Sequence, residues 1–279
     1  MPFINVRGAG INYQVLGDSG AWVALSPGGR RPLEAVKTMA ARVAAAGYRV
    51  LIHDRRNCGL SDVAIGGEES EAEIWAHDLS ELLTQLGAAP AIVGGGSSGA
   101  RLALLLALRH PQNVHALFLW RVSGGRFAAA RLAELYYGQY IKIAERGGMR
   151  AICEAEHFRD RISAKPSNRE RLLAIDPRLF IAAMGRWRDN LLKTSDEPVV
   201  GLTEAELRAI KLPACVVPGN DRTHPQDASR ALARALPHAE LHEFFGEDID
   251  ADVAPLDVWD KKEADLTALC LEFFKRVSH

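Results

Sequence analysis

Residues 91–108 constrain this chain more than any other stretch. Ala91-Ile92-Val93 is a short apolar run that ends in Gly94-Gly95-Gly96, and after Ser97-Ser98-Gly99 the chain enters the almost wholly apolar segment Ala100 to Leu108. The spacing predicts a strand, a sharp turn and a helix. Gly95-x-Ser97-x-Gly99 sets a serine at the corner and glycines where neighbouring Cβ atoms would clash. A hydroxyl held there projects from the end of a sheet, and the N–H groups of the first helical turn lack intrahelical partners and can face an anion. An ordinary Gly/Ser loop and a phosphate cradle at the helix N-terminus are the competing readings. The second lacks the Lys-Ser/Thr ending of a phosphate loop and the spacing of a dinucleotide turn.

The flanking sequence supports a sheet around this corner. Phe3–Val6, Ile11–Leu16, Trp22–Leu25, Tyr48–Ile52, Val114–Trp120, Ala214–Val217 and Glu240–Phe245 read as strands. Helices are predicted over Leu33–Ala46, closed by Gly47, over Glu71–Leu86, Ala228–Leu236 and about Lys262–Val277. Between Arg126 and Leu207 the pattern is helical throughout, broken at Gly147-Gly148, at Lys165-Pro166-Ser167-Asn168 and at Asp176-Pro177. Alternating strands and helices imply an α/β fold: a mostly parallel sheet with helices on both faces. The expected organisation is a core of residues 1–124 and 208–279 with an inserted helical cap over 125–207, above the strand ends where such sheets bind ligands.

Charge and composition exclude several classes of function. With 34 basic and 35 acidic residues the net charge is −1, which gives no long-range pull towards nucleic acid or anionic membrane. No apolar run is long enough to span a bilayer. The N-terminus has no basic start followed by an apolar signal region, so the expected location is cytoplasmic. Cys58, Cys153, Cys215 and Cys270 are scattered without metal-binding spacing and are expected to be reduced. No metal or organic cofactor is called for. The expected partner is a small-molecule substrate, and a homodimer is the assembly allowed for.

On these residues the chain resembles the α/β-hydrolase superfamily over nearly its full length. Ser26-Pro27-Gly28-Gly29 stands where that family carries its oxyanion loop, usually His-Gly. Asp54-Arg55-Arg56-Asn57-Cys58-Gly59-Leu60-Ser61-Asp62 is similar to the family's Asp-x-Arg-Gly-x-Gly-x-Ser segment, with Asn57, which tolerates left-handed backbone, in place of a glycine. Gly95 to Gly99 resembles the nucleophile elbow, Val217-Pro218-Gly219-Asn220-Asp221 the strand end bearing the acid, and the helical insertion the cap. The resemblance implies Ser97 as nucleophile, Asp221 as the acid that orients an imidazole, and an oxyanion hole from the Ser98 N–H with Gly28 or Gly29. It implies hydrolysis of an ester, thioester, lactone or activated C–C bond in a small, partly apolar substrate. A lyase or isomerase of the same fold, or an inactive binding or scaffold protein, are the alternatives.

One part of the family pattern is missing. The family's histidine follows the last strand, but here Leu241–Phe245 runs into Gly246-Glu247-Asp248-Ile249-Asp250-Ala251-Asp252, and only His279 lies beyond. A serine hydroxyl needs a base. His224, in Asp221-Arg222-Thr223-His224-Pro225, is the provisional choice because it shares a loop with the acid. Asp248 and Asp250 would serve only if burial raised their pKa. His53 and His157 are candidates for lining the site, and His242, His77, His110, His115 and His238 for packing or surface. Arg121, just after the Trp120 strand end, and Trp187, between Arg186 and Arg188 in the cap, are the expected substrate contacts, the arginine through a bidentate hold on a carboxylate.

Overall fold

A computed structural model describes residues 2–278. Its sheet has eight strands: β1 (Phe3–Val6), β2 (Ala9–Leu16), β3 (Trp22–Ser26), β4 (Arg49–His53), β5 (Ala91–Gly96), β6 (Val114–Trp120), β7 (Ala214–Val217) and β8 (Ala239–Leu241). Their spatial order is β1-β2-β4-β3-β5-β6-β7-β8. The β1–β2 hairpin and the β2–β4 pair are antiparallel, and every later pairing is parallel. Parallel neighbours need crossovers, and the crossovers are helices: α1 (Lys37–Ala45), α2 (Glu71–Gln85), α3 (Ser98–Arg109) and α10 (Gln226–Ala235), with α11 (Leu256–Asp260) and α12 (Glu263–Val277) closing the chain.

Strand side chains alternate strictly between two apolar layers. Ala24, Val93, Leu117, Leu119 and Val216 pack towards α2, α3 and α10, whereas Leu25, Ile92, Phe118 and Val217 pack towards α1 and α12. Helix α3, between the sheet and α2, has every residue from Ser98 to Ala107 buried, which explains why its sequence shows no polar face. Full burial of one such leucine is worth about 1.5–3 kcal/mol. A reciprocal Ser70–Glu73 capping box starts α2.

Between β6 and β7 lie α4 (Gly125–Ala133), a π-helical turn (Glu134–Gly138), α5 (Gln139–Glu154), α6 (Glu156–Ala164), α7 (Ser167–Leu173), α8 (Pro177–Lys193) and α9 (Glu204–Ala209). The first five helices build an apolar cluster of their own, including Tyr137, Phe158, Phe180 and Trp187. Val199, Leu202 and Leu207 instead join the layer beneath α3. Gly147-Gly148, expected to break the helical pattern, lies inside α5 as a kink at Gly148 (φ 62°).

Two sequence expectations need correction. The segment 33–46 is not one helix: Leu33–Val36 is a 3-10 turn, and α1 begins at Lys37. The last strand stops at Leu241. His242 N–H still reaches the Val216 carbonyl (2.9 Å), but Phe244 and Phe245 leave the ladder to pack against the α12 layer, Phe245 with its ring 5.2 Å from that of Trp259. Aromatic packing has outcompeted strand pairing there.

Candidate active site

The corner after β5 has the expected strain. Ser97 has φ 54° and ψ −113°, a conformation that costs of order 1–3 kcal/mol and persists only where its surroundings enforce it. They do: a Cβ on Gly95 would overlap the Gly99 backbone, and one on Gly99 would overlap the Ser26 carbonyl. Gly28 lies so close that its Cβ would stand 3.3 Å from that of Ser97. Asn57, in the motif position where the family has glycine, does adopt left-handed backbone (φ 68°).

The turn after β7 comes to meet it. His224 Nε2 is 2.9 Å from Ser97 Oγ, and its Nδ1 is 2.8 Å from Asp221 Oδ1. The local sequence builds this in three residues. A Cβ at Gly219 would overlap His224, so glycine permits the tight reversal, and Asp221 Oδ1 also accepts the N–H groups of Thr223 (3.0 Å) and His224 (2.9 Å). Asp221 Oδ2 accepts Ala254 N–H (2.8 Å) and an Arg121 Nη2 bond (3.2 Å). With the carboxylate accepting a hydrogen bond from Nδ1–H, Nε2 is left as an acceptor for the serine O–H.

Electrostatics favour that tautomer. Burial alone would raise the Asp221 carboxyl, but His224, the Ala254 N–H and Arg121 outweigh it and hold the group well below its ordinary range. Burial also lowers the His224 imidazole; its bond to Asp221 resists that, and the charges of Arg121 and Arg131 add to it. The result is a neutral imidazole against an ionised carboxylate near pH 7.

A cavity of about 340 Å³ opens before the serine, lined by Gly28, Gly29, Ser97, Arg121, His224 and Trp259 among others, and roofed by Leu132, Leu135 and Tyr136. Arg121 stands in its wall, with its guanidinium turned to Asp221 and 5.0 Å above the Trp259 ring. Ser98 opens α3, its hydroxyl donating to the Gly29 carbonyl (2.8 Å).

Ser97, Asp221 and His224 are therefore brought together, with Gly28, Gly29 and Arg121 around them. Trp187 is not. It is 1% exposed in the cap cluster and its indole N–H donates to the Glu69 carbonyl (2.9 Å), so the expected substrate contact is a packing residue. Of the cap aromatics only Tyr136 reaches the cavity. Asp248 and Asp250 do not line it, and Asp248 accepts the Gln226 N–H at the start of α10. His53 is buried and pushed down to about 3 by burial and by Arg55. Burial pushes the Cys58 thiol up to about 11 despite Arg55, so it stays protonated. His279 lies outside the described residues.

Sequence reasoning missed Ser123 and Trp259. Ser123 Oγ is 3.1 Å from Ser97 Oγ, buried at the end of the segment that follows β6. Its signal was faint: a small polar residue before Gly124-Gly125, just past a strand end. Trp259 had none, since its indole N–H bond to Asn220 (3.1 Å) depends on tertiary folding. Among the described residues, one three-ligand group is formed by Cys215 on β7, Glu240 on β8 and His242 just past it, with ligand atoms within 4.8 Å of one another. Arg276 pairs with that glutamate.

A family model described as the alpha/beta hydrolase fold matches residues 34–122, which contain the strained corner. Over those residues the chain is similar to that family, and its sheet has the α/β-hydrolase fold. It is 37% identical over 114 residues to the uncharacterised hydrolase YraK of Bacillus subtilis (strain 168), a match spanning 41% of each protein. It is 29% identical over 201 residues to 2-hydroxymuconate semialdehyde hydrolase of Pseudomonas putida, covering 70% of this chain and 68% of that one. An enol-lactonase from Burkholderia xenovorans LB400 superposes with a TM-score of 0.65 at 21% identity, over 98% of this chain and all of that one. These relatives are hydrolases by name, and the eight-stranded sheet is the α/β-hydrolase architecture. No described helix is long and apolar enough to cross a membrane.

Proposed function

We propose that this protein of α/β-hydrolase fold is a serine hydrolase acting on an ester, thioester, lactone or activated C–C bond of a small, partly apolar substrate. The observation that carries the reading is the unbroken line Ser97 Oγ–His224 Nε2, His224 Nδ1–Asp221 Oδ1, at 2.9 and 2.8 Å. A serine hydroxyl becomes a useful nucleophile when a base takes its proton. In this reading Ser97 Oγ bonds to the substrate carbonyl carbon while its proton passes to His224. Ionised Asp221 stabilises the imidazolium. The carbonyl oxygen, now negative, is met by the Ser98 N–H and by Gly28 or Gly29; one such donor is typically worth about 2.7–4 kcal/mol in the transition state. His224 returns the proton to the leaving group. Water, deprotonated by the same imidazole, then attacks the acyl carbon; the bond to Ser97 Oγ breaks and His224 returns the proton to that oxygen.

Two further features support it. The cavity volume of about 340 Å³ lies within the range of small-molecule sites, and its mixed lining suits a substrate with apolar and polar ends. The position of His224 Nε2, 2.9 Å from Ser97 Oγ, supports a hydrolase over a binding or scaffold protein, since it offers an imidazole that the acidic loop 246–252 lacks. Ser123, as a hydrogen-bond donor to the lone pairs of Ser97, would fix the hydroxyl rotamer that aims the proton at His224.

A fluorophosphonate probe tests the reading. Wild-type protein should be labelled at one residue and the Ser97→Ala variant should not. A folded wild type that resists the probe and hydrolyses no simple ester would overturn it in favour of a binding protein or a non-acylating enzyme.

A further inference from the structure

Behind the cavity roof lies an unusual concentration of buried positive charge. Arg55 is 1% exposed and Arg101 3% exposed, and the Arg30 side chain is 6% exposed. Only one carboxylate serves the three. Glu71 accepts from Arg30 (2.8 Å), Tyr137 (3.1 Å) and Asn57 (2.9 Å), which uses both of its oxygens. Arg55 donates only to neutral oxygens, the Ser98 hydroxyl (2.8 Å) and the Gly29 carbonyl (2.6 Å). The Arg101 guanidinium donates to no protein group among the described residues, and its buried Nε has no hydrogen-bond partner. Arg30 Nε and Nη1 and Arg55 Nε are likewise buried without partners. Buried charges are ordinarily paired, because leaving one unpaired costs several kcal/mol.

The chain spends structure on this arrangement. Arg101 stands one turn along α3 from Ser97, its N–H on the Ser97 carbonyl (3.1 Å). Its stem is roofed by Gly201, whose φ of 97° and lack of a Cβ permit the contact. Tyr136 separates the arginines from the cavity. It lines the cavity itself, its ring lies 5.3 Å from the Arg30 guanidinium carbon, and its phenol, raised by burial, feels the opposing charges of Arg30, Arg101 and Arg55. Tyr136 belongs to the π-helical turn Glu134–Gly138. Such turns recur at functional sites because the extra residue re-aims side chains.

We infer that the buried guanidiniums form a carboxylate subsite: a substrate bearing a carboxylate besides the bond attacked at Ser97 passes Tyr136 and is held by Arg101, with Arg30 beside it. The subsite is separate from Arg121, which stands in the cavity wall and gives Asp221 one bond through Nη2 (3.2 Å). It rests on the hydrolase reading for the word substrate, but not for the binding of a carboxylate. A planar guanidinium with free donors suits bidentate capture of that group, and a water-poor setting strengthens the contact.

The test pairs two esters that differ in one group, p-nitrophenyl butyrate and the p-nitrophenyl monoester of glutaric acid, with wild type, Arg101→Met and Arg101→Lys. The ratio of kcat/KM for the glutarate ester over the butyrate ester should fall by about tenfold or more in Arg101→Met, since a charge-assisted hydrogen bond is lost. Arg101→Lys should recover part of it. A second readout needs no turnover: free glutarate should raise the thermal midpoint of wild type and not that of Arg101→Met. Without ligand, Arg101→Met should melt no lower than wild type, because it removes an unpaired buried charge. An unchanged ester ratio, or equal glutarate protection of wild type and Arg101→Met, overturns the subsite. So does a methionine variant that fails to fold, which would make the arginine a structural partner. Protection by inorganic phosphate or chloride but not by glutarate would mark a holder of free anions, and would also overturn it. If glutarate protects through Arg101 while no ester turns over and the fluorophosphonate fails, the hydrolase reading falls and the subsite stands.

Discussion

The turn after β7 and the loop after β8 lie side by side at the same end of the sheet, yet only the first sends side chains to Ser97. Residues 219–224 deliver a carboxylate and an imidazole from positions three apart, clamped by the turn's own N–H groups on Asp221. Residues 246–255 carry Glu247, Asp248, Asp250 and Asp252, none of which lines the cavity, and they meet Asp221 and Thr223 through backbone groups. Ala254 N–H bonds Asp221 (2.8 Å), and the Asp252 carbonyl accepts from Thr223 N–H (3.2 Å) and its hydroxyl (2.5 Å). On the proposed reading, the difference teaches that a base need not sit on a separate loop from its orienting acid. A glycine-permitted reversal supplies both, and the neighbouring loop becomes a buttress.

The largest expected effect comes from breaking the first turn. His224→Ala should lower kcat by roughly 10⁴–10⁶-fold, in the range seen when a triad base is removed, measured on any ester the protein turns over. Asp221→Asn should cost about 10⁴-fold, because the amide no longer enforces the Nδ1–H tautomer. Arg121→Gln should move the acid limb of kcat/KM to higher pH. The Arg121 charge disfavours the imidazolium, so its loss lets His224 take a proton more readily, and the active neutral form gives way at a higher pH. The buttress is worth less: Thr223→Val deletes one hydroxyl bond to Asp252 and should cost about 0.5–1.5 kcal/mol of stability in urea melts. Smallest of all, Asp248→Asn and Asp250→Asn should leave kcat/KM within about twofold, as surface changes away from the site do. A large loss there would return the acidic loop to the chemistry and break the comparison.

How much of this was legible in the sequence follows the same divide. The Gly95–Gly99 corner, the strand positions up to Ala214–Val217 and the Asp221 position were readable because each rests on local rules: glycine where a Cβ clashes, apolar runs, turn residues. His224 was readable only as a residue near an acid, since its meeting with Ser97 joins positions 127 apart. Trp187 misled because an aromatic on a cap helix reads alike whether it faces a ligand or its own cluster. Phe244 and Phe245 misled as strand residues because β-propensity cannot register a partner such as Trp259. The buried arginines were invisible: Arg30, Arg55 and Arg101 come from three segments, and charge in a sequence reads as surface until burial is known.

The central claim is that His224, carried on the same turn as its carboxylate, is the base for Ser97. The most direct test is the second-order rate of fluorophosphonate labelling of Ser97 as a function of pH, in wild type and His224→Gln. Wild type should show a rising limb with its midpoint below 6.5, the ordinary histidine value, because burial depresses this imidazole, and the glutamine variant should lose both limb and rate. Equal labelling of the two proteins across the pH range would contradict the account.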